Sequence, residues 1–350
     1  MKNKIFNKKN IILGIETSFD DTTSSILKGN KILSNIIYTQ KKKHIKYKGI
    51  VPNIASNEHL KKIYKIVKLS IKKSNININN INAIAFTKGP GLIGSLIIGE
   101  SFAKSISLCL NKPLISINHI HAHILSFFIY NKKNLYPKFP YLCLSISGGH
   151  SLLLIVKNYF DIKILGKTLD DSLGNLFDKL SVFLGLKYYN GPFLLEKYSY
   201  KGKYIYDFPI PNVKNLDFSF SGLRTFLFNF IQKNVKKKKN FIKNNIYNIS
   251  RSFHETIIKI IINKIKKAVI KTNITNIALS GGVTNNKFII KKIIKYSKKK
   301  WNIIYLKKKN IINDNAAMIA LVGQIKYYYK LYDNYNIISN PNLKLNNYCL

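Results

Sequence analysis

Residues 141–156 read YLCLSISGGHSLLLIV, and this stretch decides the fold. Residues 141–147 form an apolar strand, Gly148-Gly149-His150 a tight turn, and 151–156 the strand that returns. The head of the chain opens in the same way. Residues 11–16 (IILGIE) read as a strand and 17–21 as a polar turn; alternation through Leu27 and an extended run over 31–38 then complete a three-stranded meander.

Each hairpin is followed by β/α alternation. In the first half, Leu60, Ile63, Tyr64, Val67 and Ile71 share one helical face, and a short buried strand follows at 83–87. Gly89-Pro90-Gly91 breaks the chain before a helix at 94–110, a strand at 113–117 and a helix at 119–129, giving the order βββαβαβα. The second half continues with helices at 171–184 and 250–270, a strand at 276–280, a helix at 285–296, a strand at 302–306 and a closing helix at 315–329. Two halves that open and proceed alike predict a duplicated α/β fold, with a ligand in the cleft where the two hairpin turns face each other. The boundary falls at 131–140, which holds two prolines and no apolar period. Lobe I therefore spans 11–135 and carries the histidines discussed below, lobe II spans 141–330 and includes the closing helix, and 1–10 and 331–350 are tails.

With 350 residues, 46% of them hydrophobic, the chain can bury two medium cores. Lys and Arg total 58 against 15 acidic residues, a formal charge of +43, which excludes an acidic solvating protein and leaves a polyanionic partner open. Only Arg224 and Arg251 are arginines; the excess is lysine travelling with Asn, Ile and Tyr, the signature of adenine- and thymine-rich codons. Lysine tracts at 41–43, 236–239, 298–300 and 307–309 read as solvated loops or helix ends. Three scattered cysteines, Cys109, Cys143 and Cys349, support neither a disulfide framework nor a CxxC metal site, which fits a reducing cytoplasm. The basic N-terminus lacks a signal-peptide core and no apolar run approaches eighteen residues, so a soluble chain without a membrane segment is expected.

His119 and His123 stand four apart in a helical pattern, so both imidazoles can point at one metal ion while His121 faces away. The spacing is that of zinc proteases, but the intervening residues are Ile120, His121 and Ala122, without the glutamate that would act as general base. Asp314 is a candidate third ligand; its place at the start of the last helix equally suits a helix cap. Two glycine turns, Ser147-Gly148-Gly149-His150 and Ser280-Gly281-Gly282-Val283, each follow a strand, a geometry in which backbone amides can approach a phosphate. Neither is a GxxxxGK[ST] loop. Carboxylates cluster at Glu16, Asp20 and Asp21 and at Asp170 and Asp171, with Asp178 nearby, and can accept from a ribose or substrate hydroxyl. Phe218 to Thr225 reads as a compact polar and aromatic turn, and 233–245 as a lysine-rich loop.

Taken in order, these segments resemble one family, the tRNA N6-adenosine threonylcarbamoyltransferases (TsaD in bacteria), from about Ile11 to Gly323. The resemblance is carried by GIETSFDDT from Gly14, GIVPNIASNEH from Gly49, GPGLIGSL from Gly89, NHIHAH from Asn118 and SGGHS from Ser147. It continues through DDSLGNLFDKLSVFLGL from Asp170, FSFSGLRT from Phe218, SGGVTNNK from Ser280 and NDNAAMIA from Asn313. It implies a duplicated two-lobe fold of the actin, hexokinase and Hsp70 nucleotide-binding type with its active site in the interlobe cleft. It also implies one divalent metal per subunit, iron first and zinc second, on His119, His123 and Asp314. Substrate contacts carry over to Ser145, Ile146, Ser147, Gly148, Gly149, Asp178, Gly191 and Asn286, and a role in proton removal or ligand orientation to Asp20. The implied reaction moves threonylcarbamoyl from threonylcarbamoyl-AMP to N6 of adenosine 37 in tRNAs that read codons beginning with A, with TsaB-like and TsaE-like proteins as partners. Phe19 stands where the family usually has Cys, and Asp21 where it often has Glu. Two other readings remain: an ATPase or kinase of the same superfold, and a non-catalytic tRNA-binding subunit.

Overall fold

The computed structural model describes residues 5–6, 9–47, 49–129, 136–186, 190–297, 300–306 and 314–345. They fall into two compact units, Met1–Tyr136 with Lys308–Leu350 and Pro137–Lys307. Of the features read above, Cys349, the lysines at 298–299 and 307–309, and boundary residues 131–135 lie outside the described residues, as do parts of both expected tails.

The first unit begins with β1 (Ile11–Glu16), β2 (Asp21–Lys28) and β3 (Lys31–Thr39), an antiparallel meander. Helix α1 (Pro52–Ser74), β4 (Ala83–Gly89), α2 (Ile93–Leu110), β5 (Leu114–Asn118) and α3 (His119–Leu125) follow. The sheet order is β3-β2-β1-β4-β5, with β4 parallel to β1 and β5 parallel to β4. Both long helices stop at an asparagine in left-handed conformation, Asn75 (φ 53°) and Asn111 (φ 49°), where a short polar side chain tolerates the turn. Every residue of β1 is buried because the strand is central and covered on both faces. Alternation decides which side chain goes where: Ile11, Leu13 and Ile15 pack with Ile63 and Val67 of α1 and Ala103 of α2. The even residues, Ile12, Gly14 and Glu16, therefore point to the opposite face.

The second unit repeats the plan. Strands β6 (Tyr141–Ile146), β7 (Ser151–Val156) and β8 (Ile162–Lys167) form its meander. Then come α4 (Leu173–Phe183), α5 (Gly191–Ser199), α6 (Ser221–Lys237), α7 (Phe241–Thr272), β9 (Asn276–Ser280), α8 (Lys287–Ser297) and β10 (Asn302–Tyr305). Its order, β10-β9-β6-β7-β8, is that of the first sheet with the same parallel and antiparallel pairs, so the duplication read from the sequence is real. Two readings are corrected here. Residues from Ser221 begin helix α6 rather than a turn, buried along Leu223, Leu227 and Ile231, and the lysine-rich stretch supplies the end of that helix and the start of α7.

A further correction concerns the last helix, α9 (Ala316–Tyr328), expected in lobe II. It belongs to the first unit and covers the even face of β1. The cause is a match of small residues: a Cβ on Gly14 would lie 2.3 Å from the carbonyl oxygen of Ala316, and one on Gly323 2.6 Å from the Ala85 side chain. Residues 331–345 are no free tail either. Asp333 Oδ2 accepts from Ser116 N (2.6 Å), Ser339 N donates to Glu100 (2.5 Å), and Leu343 and Leu345 are buried. Among the described residues, α2 alone is long and apolar enough by composition to cross a membrane, contrary to the expectation that no run reaches that length. It packs on β4 and α1, and its Glu100 and Lys104 pair at 2.7 Å.

Candidate metal centre and glycine turns

At the end of β5 the side chain of Asn118 accepts from the amides of Ile120 (2.9 Å) and His121 (3.1 Å), which starts α3 at His119. One turn separates His119 from His123, so their rings share a face, edge to plane with centroids 4.7 Å apart. From the other side of the chain, α9 brings Asp314. His123 Nε2 lies 2.9 Å from Asp314 Oδ1 and 3.2 Å from His119 Nε2, and His119 Nε2 lies 3.5 Å from the same carboxylate oxygen. Donor atoms about 2.1 Å from a common ion stand roughly 3.0–3.4 Å apart, so these three fit one metal without rearrangement. Two imidazoles and a carboxylate suit Fe²⁺ or Zn²⁺ with coordination positions left over. His121 is buried and outside the triplet.

Helix capping does not explain Asp314. Asn315, the next residue, caps α9 by accepting from Met318 N (3.2 Å), which leaves the Asp314 carboxylate for the histidines. Burial would raise its pKa, but attraction to His119 and hydrogen bonds from both imidazoles hold it well below the usual range.

Glu16 completes the centre in a way the sequence reading missed. It is 1% exposed, and it accepts from Ser18 N (2.6 Å) and Thr87 Oγ1 (2.5 Å) as well as from His119 Nδ1 (3.0 Å). Because its carboxylate only accepts, Nδ1 of His119 carries a proton, and the nitrogen that can give up its own to a metal is Nε2, turned to Asp314 and His123. Burial alone would lower the His119 pKa; the carboxylates of Glu16 and Asp314 outweigh it and lift the metal-free imidazole to about 10. The signal was present as strand alternation, since Glu16 shares the face of Gly14, over which α9 lies. Asp20 lies on the loop after β1, its pKa raised by burial and by the charge of Asp314. Asp21, at the start of β2, is pushed to about 7 by burial and then by Asp20.

In the second unit, β6 and β9 run parallel with Ser145 opposite Ser280, so both glycine turns leave the same end of adjacent strands. Gly281 has φ +84° and approaches so closely that a Cβ would lie 2.3 Å from the Ile146 carbonyl oxygen. Gly148 and Gly149 are different: both are exposed, and among the described residues nothing lies within 4 Å of where a Cβ would be. The protein's own packing does not demand glycine there, whereas a ligand approaching the backbone would. His150 pins the turn through Ser147 Oγ (2.8 Å from Nδ1) and Ser145 Oγ (3.2 Å from Nε2), and Ser147 N donates to its carbonyl.

The remaining sequence candidates separate. Asp178 is half-buried on α4, and Gly191 opens α5 where a Cβ would collide with Ser181 Oγ of α4 (2.1 Å). Asn286 stands just before α8 and accepts from Ile289 N (3.0 Å). Asp170 and Asp171 are used internally. Asp170 accepts from Phe220 N (2.8 Å) and Ser219 Oγ (2.5 Å) at the start of α6. Asp171 pairs with Lys179 (2.7 Å) and Arg224.

The family model for tRNA N6-adenosine threonylcarbamoyltransferase matches residues 31–321. A curated relative of that name from Riemerella anatipestifer is 43% identical over 340 residues, 97% of this chain and 99% of its own. Among solved structures, HypF of T. kodakarensis aligns with a TM-score of 0.61 at 16% identity, over 95% of this chain and 49% of that one. The activator of the 2-hydroxyisocaproyl-CoA dehydratase from Clostridium difficile, with bound ADPNP, gives 0.53 at 13% identity over 93% and 98%. What these two share with this chain is the fold, the duplicated α/β architecture of the actin, hexokinase and Hsp70 type.

Proposed function

This chain belongs to the tRNA N6-adenosine threonylcarbamoyltransferase family, and we propose that it takes the L-threonylcarbamoyl group from threonylcarbamoyl-AMP and places it on N6 of adenosine 37 in tRNAs reading codons that begin with A. It is a transferase of tRNA modification. The observation that carries the finer reading is the convergence of His119, His123 and Asp314, with Glu16 fixing the tautomer of His119.

His119, His123 and Asp314 would hold a divalent ion, iron first and zinc second. Such an ion supplies a Lewis acid for a carbonyl oxygen. The residues of the second unit bind the nucleotide: the backbone around Ser145, Ile146, Ser147, Gly148 and Gly149 approaches the phosphate, while Asp178, Gly191 and Asn286 meet the rest of the adenylate. Adenine N6 is a weak nucleophile, so positioning must supply much of the rate. Its lone pair forms the new N–C bond to the carbamoyl carbon, the bond from that carbon to the phosphate oxygen breaks, and AMP leaves with the electron pair. Asp20, whose raised pKa suits a group that must hold a proton, takes the proton released from N6. TsaB-like and TsaE-like proteins are the proposed partners, and the cytoplasm the place of action.

Replacing His119 by Ala tests the metal role. Metal content and threonylcarbamoyladenosine formation should fall together while tRNA binding persists; undiminished transfer by a metal-free variant would contradict it.

A further inference from the structure

His254, in the middle of α7, is fully buried and boxed by the rings of Phe177, Phe253 and Phe288 at centroid distances of 5.3, 5.8 and 5.5 Å. Nothing in the reaction above uses it. Its Nδ1 lies 2.7 Å from the Ser250 carbonyl oxygen, which can only accept, so Nδ1 carries the proton. Burial pushes its pKa down to about 4, so the ring is neutral and Nε2 is a bare acceptor. That acceptor faces Asn286 Nδ2 at 2.9 Å.

The Asn286 amide is thus oriented twice over, and the two constraints agree. His254 requires the NH₂ end, and the Ile289 amide, donating at 3.0 Å, requires the oxygen end. An aspartate would cap α8 equally well but would bring no donor to His254. Among the described residues, these side-chain bonds leave the amide one N–H and one oxygen lone pair, and Asn286 remains half-exposed.

We infer that His254 is a positioning residue that fixes the Asn286 amide so that its spare N–H and lone pair read the adenine edge of the bound adenylate. This rests on the reading that Asn286 faces the adenylate. An adenine edge offers the N6 amino donor beside a ring-nitrogen acceptor, which a fixed amide meets with one oxygen and one N–H. Guanine places O6 where adenine has its amino group. A fixed amide then sets oxygen against oxygen, whereas an amide held only at its oxygen by Ile289 can turn its N–H out of the adenine plane and discriminates less between the two bases.

The test is calorimetric titration of AMP and GMP into the full-length protein and into His254→Leu, Asn286→Ala and the double variant, with His254→Gln as the conservative replacement, since its Oε1 can accept the same bond. His254→Leu is expected to lower the AMP-to-GMP affinity ratio by at least about fivefold, the double variant to fall no further than Asn286→Ala, and His254→Gln to recover much of the ratio. A His254→Leu ratio equal to wild type, or a double variant whose loss is the product of the two single losses, would overturn the proposal. An unchanged ratio in Asn286→Ala would instead remove the reading beneath it, and the proposal with it. The wild-type ring gives a check that needs no variant: ¹⁵N correlation spectra at pH 7 should show the neutral Nδ1–H tautomer, and an Nε2–H resonance would contradict the arrangement.

Discussion

One carboxylate, Glu16, determines which nitrogen of His119 faces the centre, and its own place is set by strand alternation and by bonds from Ser18 and Thr87. Glu16→Gln keeps the shape and removes the charge, so metal affinity should weaken roughly 10- to 100-fold in a competition titration with little change in the circular dichroism. Two neighbours at the start of α9 divide their work the same way. Asn315→Ala should cost about 1 kcal/mol in urea unfolding and keep the metal, because it loses a cap. Asp314→Asn keeps that cap and should lose the metal, read as metal content after purification. Both residue types suit a helix N-terminus, which is why the sequence left Asp314 open between cap and ligand: only the position of β1 and α3 beside α9 separates the two roles. The histidine pair was legible from its spacing. Glu16 was visible as a carboxylate, not as the partner of a ring 103 residues away.

Elements with a strong period were found and those without were missed. β8 is a six-residue edge strand containing two lysines and a glycine, so its apolar signal is diluted by the solvent that an edge tolerates. The approach to α6 alternates Phe and Ser over residues 218–221 and then brings Gly222, which imitates a turn, although Leu223, Leu227 and Ile231 keep a helical spacing. α7 was found in its central part and carries a pH dependence of its own. His254 has a folded-state pKa of about 4 against an ordinary 6.5, so between those values the unfolded chain binds a proton that the folded chain refuses. Its contribution to stability is therefore present above about pH 6.5 and is lost as pH falls toward 4, by up to roughly 3 kcal/mol. Urea unfolding at pH 7 and pH 4.5 should show this loss in wild type and a smaller one in His254→Gln; equal losses would assign the acid sensitivity elsewhere.

At the scale of the whole chain, duplication was readable because both halves open with a hairpin, and the two sheet orders agree strand for strand. The path of the chain was not readable. α9 follows the second unit in sequence and returns to the first because Gly14 and Ala85 offer a surface flat enough for Ala316, Ala320 and Gly323, a complementarity that no local period expresses. That return also brings Asp314 to His119 and His123, since Asp314 precedes α9 while both histidines lie on α3. The central claim is group transfer to adenosine by a chain that gathers His119, His123 and Asp314 in one unit and carries two glycine turns in the other. It is tested most directly by incubating metal-loaded protein with threonylcarbamoyl-AMP and unmodified tRNA, with and without TsaB-like and TsaE-like proteins, and analysing the nucleosides by mass spectrometry. Threonylcarbamoyladenosine is the predicted product; tRNA that is bound but unmodified, with metal and partners present, would contradict the account.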